Sequence, residues 1–415
     1  MQKNHKIMGG APMLPPIIIF TNTYPYGTGE AFFATELPFL LMFKRPITLV
    51  PLYGSGRART IPRFPHTSVT VAPPLLPFDP KDRVRLLFRG LFSFAPLFFA
   101  VSEFFGRQVW RSRTRIWQFG VSFLLIRAIL GRNRRFFNQA PIGTGEATLY
   151  FYWGDKTALI LPFLRKRGKS VVRFHGSDLY EEVKGFLPFR DRLFPAIDLA
   201  CPISQHGADY LQQRYGALAP PVAVSRLGSV DCGLGLVPEE GGVFHLVSCA
   251  NIIPLKRLHL IAKAVALLRG RIQDTGRVVK WTHIGDGPLQ SQIEGYADFC
   301  GPMPHDKVMA FYKETPVDLF VSASSSEGIP VSMMEAMSFG IPVLGTRVGG
   351  VAELVSNGWG RLLPPHPTAE EIVQELLWFI RLPLDQRLAM RQKARDVWET
   401  GWSAEVNFTR FCTLL

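Results

Sequence analysis

Glu327 and Glu335 lie eight positions apart in the stretch Ser324-Ser325-Ser326-Glu327-Gly328-Ile329-Pro330-Val331, which runs on to Gly340. An apolar run at 317–321 reads as a strand leading into it, and Pro330 and Gly340 suit the first turn and the C-terminal end of a helix. Glu327 then sits just ahead of the helix, on the C-terminal side of a strand, where open α/β sheets bind ligands. Glu335 sits about two turns in, which at about 1.5 Å per residue separates the two by roughly 10–12 Å. Between them the backbone N–H groups of Gly328 and Ile329, followed by Pro330 and Val331, open the helix and suit an anion such as a diphosphate. A ligand with a polyol at each end and phosphates between them, a nucleotide sugar, has that layout. One glutamate would take sugar hydroxyls and the other ribose hydroxyls. The same residues also fit a helix cap and a solvated helix position, and spacing alone leaves both readings open.

Other residues could serve the same chemistry. The strand at 170–174 delivers His175-Gly176-Ser177-Asp178 at its C-terminal end. A neutral imidazole there can donate to or accept from a sugar hydroxyl, and Asp178 can orient it or cap the segment after it. The turn Asn251-Ile252-Ile253-Pro254-Leu255-Lys256-Arg257 follows another strand and precedes a helix. A lysine entering a cleft there neutralises the charge that grows on a diphosphate leaving group. Gly285-Asp286-Gly287-Pro288 forms a tight turn after a strand at 281–284. Near the start, a strand at 17–20 runs into a loop holding Gly27, Gly29 and Glu30. It lacks the third glycine of a Rossmann fingerprint and the lysine of a P-loop.

Taken together, these pieces carry a resemblance. Glu327 and Glu335 with seven residues between them, His175-Gly176-Ser177-Asp178, the Lys256 turn, Gly285-x-Gly287, Gly349-Gly350-Val351-Ala352-Glu353 and Leu362-Leu363-Pro364-Pro365 resemble the retaining nucleotide-sugar glycosyltransferases of family four (group 1). The polysaccharide-biosynthesis type is the best match, because Pro25-Tyr26-Gly27-x-Gly29-Glu30-x-Phe32 looks like the first loop of those members. The resemblance implies an α/β protein of GT-B architecture. Two Rossmann-like doubly wound domains face each other across a cleft, and a C-terminal helix crosses back to the N-domain.

It further implies roles for individual residues. His175, Lys256 and Glu327 form the catalytic set: Glu327 contacts the donor sugar, His175 lines its pocket and Lys256 holds the diphosphate. Gly285, Gly287, Gly328, Ile329, Pro330, Val331 and Glu335 bind the donor nucleotide, with Glu335 on the ribose. Gly27, Gly29, Glu30 and Asp178 belong to the acceptor side. No metal and no cofactor is implied beyond the nucleotide-diphosphate sugar as co-substrate. The resemblance is strong over 170–365, fair over the first loop and poor over 44–145, where acceptors are chosen. One departure matters: family members usually carry an arginine where Asn251 stands, so one of two expected cations is missing.

Length and composition frame these expectations. A chain of 415 residues, 47% hydrophobic and 19% charged, has sequence enough for two or three globular domains. The boundaries read as 1–231 for an acceptor-side domain, 232–242 for a Gly/Pro/Glu-rich linker, 243–385 for a nucleotide-sugar domain and 386–415 for the helix that packs back. Five scattered cysteines without a CxxC pair argue against a disulfide framework or zinc site and fit a reducing compartment.

The net charge of +14 is concentrated: positions 83–139 hold eleven Arg, no Lys and the single acid Glu103. Arginine interleaved with Phe and Trp is the composition of an interfacial element on an anionic membrane. The same segment also reads as core helices with a solvated arginine face. Nucleic acid is a third reading, but eleven Phe in that span exceed what stacking platforms use. The uncharged runs 90–102 and 116–126 are short of the roughly 20 residues a span needs. Pro12, Pro15 and Pro16 break the uncharged 7–29 run as a signal-peptide core.

The expected function is a retaining transfer of a sugar from a nucleotide-diphosphate sugar to a hydroxyl of a lipid-linked or oligosaccharide acceptor in cell-surface polysaccharide biosynthesis. The expected setting is cytoplasmic, peripheral on an anionic inner membrane face, without nucleic acid. A nucleotide-sugar epimerase or phosphorylase on the same fold, and a non-catalytic membrane- or partner-binding relative, remain alternatives.

Overall fold

The computed structural model describes residues 14–415 except 28, 63, 66, 80, 82–96, 165–167, 274–275 and 357. Two six-stranded parallel sheets organise it. The first contains β1 (Ile17–Thr21), β2 (Ile47–Pro51), β3 (Val69–Val71), β4 (Thr148–Phe151), β5 (Ser170–Phe174) and β6 (Leu199–Pro202), in the order β3-β2-β1-β4-β5-β6. The second contains β7 (Val243–Cys249), β8 (Val278–Ile284), β9 (Asp298–Gly301), β10 (Leu319–Ser322), β11 (Val343–Thr346) and β12 (Gly360–Leu363), in the order β12-β11-β10-β7-β8-β9. β1, β4 and β5 are buried at every position, as parallel strands covered on both faces require, and they read accordingly as near-continuous apolar runs. Strand order reverses between β1 and β4 and again between β7 and β10. Those switch points are where doubly wound sheets open a crevice beyond the strands' carboxyl ends.

The segment joining the sheets is pinned rather than loose. Arg395 grips the Asp231 carboxylate at 2.9 and 2.7 Å, Arg391 donates to the Leu236 carbonyl at 3.0 Å, and the Gly235 amide donates to the Phe339 carbonyl at 3.1 Å. In the C-terminal stretch the helix Leu384–Gly401 packs against the helix Val331–Ser338 of the second unit, and the following helix, Ala404–Cys412, packs against the helix Ala31–Met42 of the first. The turn at Trp402 and Ser403, where Ser403 caps the new helix through the Val406 amide, redirects the chain. Phe408 then meets Phe39 at 5.6 Å between ring centroids, and Phe411 meets Tyr150 at 5.0 Å.

Much of the basic segment, including Arg83, Arg85 and Arg89, lies outside the described residues. The remainder forms the helices Leu97–Gly106, Arg113–Arg132 and Arg134–Asn138. One side is ordinary core: Leu125, Ile126, Ala128 and Ile129 are buried, and Phe119 stacks on Phe189. Arg107 bridges Glu181 and Asp191 at 3.1 and 2.9 Å. The other side exposes Phe105, Trp110, Ile116 and Trp117. Among the described residues no helix is long and apolar enough to cross a membrane.

Candidate active site

The β7/β10 switch point explains why Lys256 and Glu327, distant in sequence, meet. Each follows the carboxyl end of one of these adjacent parallel strands. Lys256 Nζ lies 2.6 Å from Glu327 Oε1, with both side chains largely shielded from solvent. Arg257, in the left-handed region at φ 47°, braces the loop that carries Glu327. Its guanidinium donates to the carbonyls of Ala323 (2.6 Å), Ser324 (2.8 Å) and Pro365 (3.0 Å). These bonds commit Arg257 to loop geometry, so it does not replace the cation missing at Asn251.

The loop is also squeezed between two backbones. A Cβ on Gly328 would stand 2.1 Å from the His175 carbonyl oxygen, and one on Gly349 (φ +51°) would stand 1.8 Å from that of Glu327. Only glycine lets the two sheets' loops touch here. The helix itself starts at Val331 behind Pro330, and the amides of Gly328 and Ile329 have no acceptor among the described residues. Glu327 is therefore not a cap, since its carboxylate is turned to Lys256. Glu335 is not a solvated helix position either: it is 6% exposed and accepts from His305 Nε2 at 2.8 Å.

Across the cleft, β5 presents His175 between the rings of Tyr152 and Trp153, at centroid distances of 4.7 and 4.3 Å. Both ring nitrogens are buried without a hydrogen-bond partner among the described residues, as is Asn22 Oδ1 at the end of β1. The nearest carboxylate oxygen, Asp178 Oδ2, is 3.9 Å from His175 Nδ1, beyond hydrogen-bond range.

Asp178 and Glu30, expected to face an acceptor, are occupied by the protein. Asp178 is fully buried and accepts the amides of Gly154 and His175, each at 2.7 Å. Burial pushes its acidity the other way, but the imidazole of His175 and these amides hold the carboxyl below its usual range. Glu30 accepts the amides of Asn22 (2.8 Å), Thr23 (2.7 Å) and Tyr24 (2.6 Å), and the Trp153 indole N–H at 2.7 Å. Both carboxylates thus hold the walls of the His175 pocket. Gly27 and Gly29 offer their carbonyls to Arg59, each at 2.7 Å, which fixes the first loop. Gly285 and Gly287 pack on the backbones of Ala250 and Ile252 and so steady the Asn251 turn.

Sequence reasoning assigned no role to three further features. The pair Glu36 and Arg173, 3.3 Å apart and without exposed side-chain surface, lies beneath the His175 strand, with Tyr150 bridging the two at 2.8 and 2.9 Å. Burial pushes the Glu36 carboxyl up, and Arg173 opposes the shift. Phe411 covers the Arg173 guanidinium at 4.0 Å. A glutamate inside the otherwise apolar helix Ala31–Met42 was the available signal. Glu353, part of the Gly-Gly-Val-Ala-Glu pattern, spans the cleft: it accepts the amides of Gln205 and His206, both at 2.9 Å, and pairs with Arg226 at 3.1 Å. His305 is the third.

Residues 238–397, which hold Lys256, Glu327, Glu335 and Glu353, match the family model described as glycosyl transferases group 1. Over that stretch the chain is similar to group 1 glycosyl transferases. WcaL of Escherichia coli (strain K12), whose name assigns it as a glycosyltransferase to colanic acid biosynthesis, is 30% identical over 60% of this chain and 64% of its own length. The amylovoran biosynthesis glycosyltransferase AmsK of Erwinia amylovora is 27% identical over 62% of this chain and 65% of its own. The chain thus spans just under two thirds of the length of these relatives.

Two solved structures share the GT-B fold over nearly the whole chain. Sucrose-phosphate synthase from Thermosynechococcus elongatus superposes with a TM-score of 0.69 at 12% identity, covering 96% of this chain and 98% of that one. Anabaena HepE, solved with UDP and glucose, gives 0.63 at 16% identity and the same coverage.

Proposed function

We propose that this chain is a group 1 retaining glycosyltransferase that uses a nucleotide-diphosphate sugar. The observation that carries the reading is the Lys256–Glu327 pair at 2.6 Å, set at the β7/β10 switch point beside Gly328, which packs on the backbone of His175, whose ring nitrogens are buried without a partner among the described residues. An incoming diphosphate would take the Lys256 ammonium and the amides of Gly328 and Ile329, releasing Glu327 to bind sugar hydroxyls. His175 would complete the sugar pocket and Glu335 would hold the ribose. In the reaction the bond from the anomeric carbon to the phosphate oxygen breaks, and a bond to the acceptor oxygen forms on the same face. The acceptor's proton passes to the departing diphosphate. Catalysis then consists of positioning and leaving-group stabilisation, the work these residues are arranged to do.

The relatives named for colanic acid and amylovoran biosynthesis support a lipid-linked or oligosaccharide acceptor in exopolysaccharide assembly. The exposed Phe105, Trp110 and Trp117 beside Arg111 and Arg113 support a peripheral site on the inner face of an anionic membrane. A panel of UDP- and GDP-sugars, assayed for donor-dependent transfer to such acceptors, tests the activity. Full transfer by Glu327→Ala would refute the sugar site. Sedimentation with anionic vesicles at low salt tests the membrane surface, and a protein that stays in the supernatant refutes it.

A further inference from the structure

His305 begins the helix His305–Glu314 and places Nε2 2.8 Å from Glu335 Oε1. The carboxylate is nearly buried while the imidazole is 40% exposed, so His305 covers Glu335 from the solvent side. Glu335 Oε2 accepts no hydrogen bond among the described residues. We propose that His305 is a positioning residue of the nucleotide site, holding one oxygen of Glu335 so that the other is presented to the ribose diol. This rests on Glu335 being the ribose ligand.

The pairing makes nucleotide affinity depend on pH. The hydrogen bond to Glu335 raises the His305 pKa above the usual imidazole value, with burial opposing and the charges of Glu335 and Asp306 adding to the rise. Three other acids face Glu335: Cys249 at the end of β7, Cys232 in the linker and Tyr312 on the His305 helix. Burial pushes all three up, Cys249 to about 12, so of these groups His305 alone changes charge near neutrality. The charged pair is present at low pH and is lost as pH rises through the raised pKa. Glu335 then keeps only a neutral hydrogen bond, about half as strong as a charge-assisted one.

The test is calorimetric binding of UDP and GDP to wild type and His305→Gln between about pH 6 and about pH 8.5, a range that brackets imidazole titration. The glutamine keeps a donor but cannot ionise, and the nucleotide's own phosphate titration is common to both proteins. The wild-type Kd is expected to rise about three- to tenfold relative to the variant across that range. With the 2′,3′-dideoxy nucleotide the two proteins should bind equally at every pH, because no diol remains for Glu335 to hold. Parallel pH profiles for the two proteins, or a difference that persists with the dideoxy nucleotide, would overturn the role of His305 alone. If neither diphosphate binds wild type, the donor-site reading fails and this inference falls with it.

Discussion

Lys256→Met is the substitution that tests the site's electrostatics most directly. Arg257 is committed to the carbonyls of Ala323, Ser324 and Pro365, and position 251 is asparagine, so the turn presents one cation to a departing diphosphate. Two unit charges about 4 Å apart near a protein surface, at an effective dielectric of about 20, interact by about 4 kcal/mol. Removing one preorganised stabilising group from a transition state costs about 2.7–4 kcal/mol, or roughly 10²–10³ in kcat. With no arginine at 251 to share the charge, the loss should lie at the upper end, about a thousandfold. The same change strips Glu327 of its partner at 2.6 Å and leaves a carboxylate facing an incoming dianion, so KM should rise as well. Steady-state nucleotide release with the best donor measures both constants. Adding Glu327→Gln to the Lys256→Met background should recover KM but not kcat. A single Lys256→Met variant whose kcat stays within about tenfold of wild type would show that the leaving group is stabilised elsewhere, and the reasoning would fail.

Three further outcomes rest on buried and bridging charges. Arg173→Met leaves Glu36 as an unpaired buried carboxylate and should cost about 3–5 kcal/mol in urea unfolding, whereas a loss below about 1 kcal/mol would mean the pair is not a stability determinant. Glu353→Ala removes the carboxylate that joins Gln205, His206 and Arg226 across the cleft. It should raise the radius of gyration in X-ray scattering and raise donor KM about several-fold at unchanged circular dichroism; an unchanged radius would contradict its bridging role. His283 is buried with Nδ1 on Ser248 and Nε2 on Ala250, and burial pushes its pKa down to about 4 from 6.5. The unfolded chain therefore binds a proton that the fold refuses, and stability should fall as pH drops from about 6.5 to about 4, by at most about 3 kcal/mol. Chemical denaturation across that window should show the slope in wild type and lose most of it in His283→Gln.

Much of the fold was legible because parallel strands buried on both faces must be apolar throughout. β1 and β10 stand out as such runs, and β5 does so apart from its buried Arg173, each followed by the polar or glycine-rich residues that line a crevice. The positions of Glu327, Lys256 and His175 at strand carboxyl ends were legible for the same reason. The bonding partners of the acids Glu30 and Asp178 were not. A carboxylate beside a glycine loop looks the same in sequence whether it faces a ligand or satisfies buried amides, and the choice depends on which N–H groups the folded loop leaves unpaired. The basic segment was read only in part, since arginine and phenylalanine in alternation do not say which face meets the core.

By itself the sequence determined several of the strands, the helix that carries Glu335, and the positions of two glutamates and a lysine-bearing turn at strand ends, because these arise from local pattern and spacing. Tertiary structure decided the partners. It set Lys256 on Glu327, His305 on Glu335, Glu353 across the cleft and Phe411 over Arg173. Each of these contacts joins residues separated by tens to hundreds of positions. Such contacts arise where the sheets' switch points and the returning C-terminal helix bring strand ends together, which no local periodicity encodes.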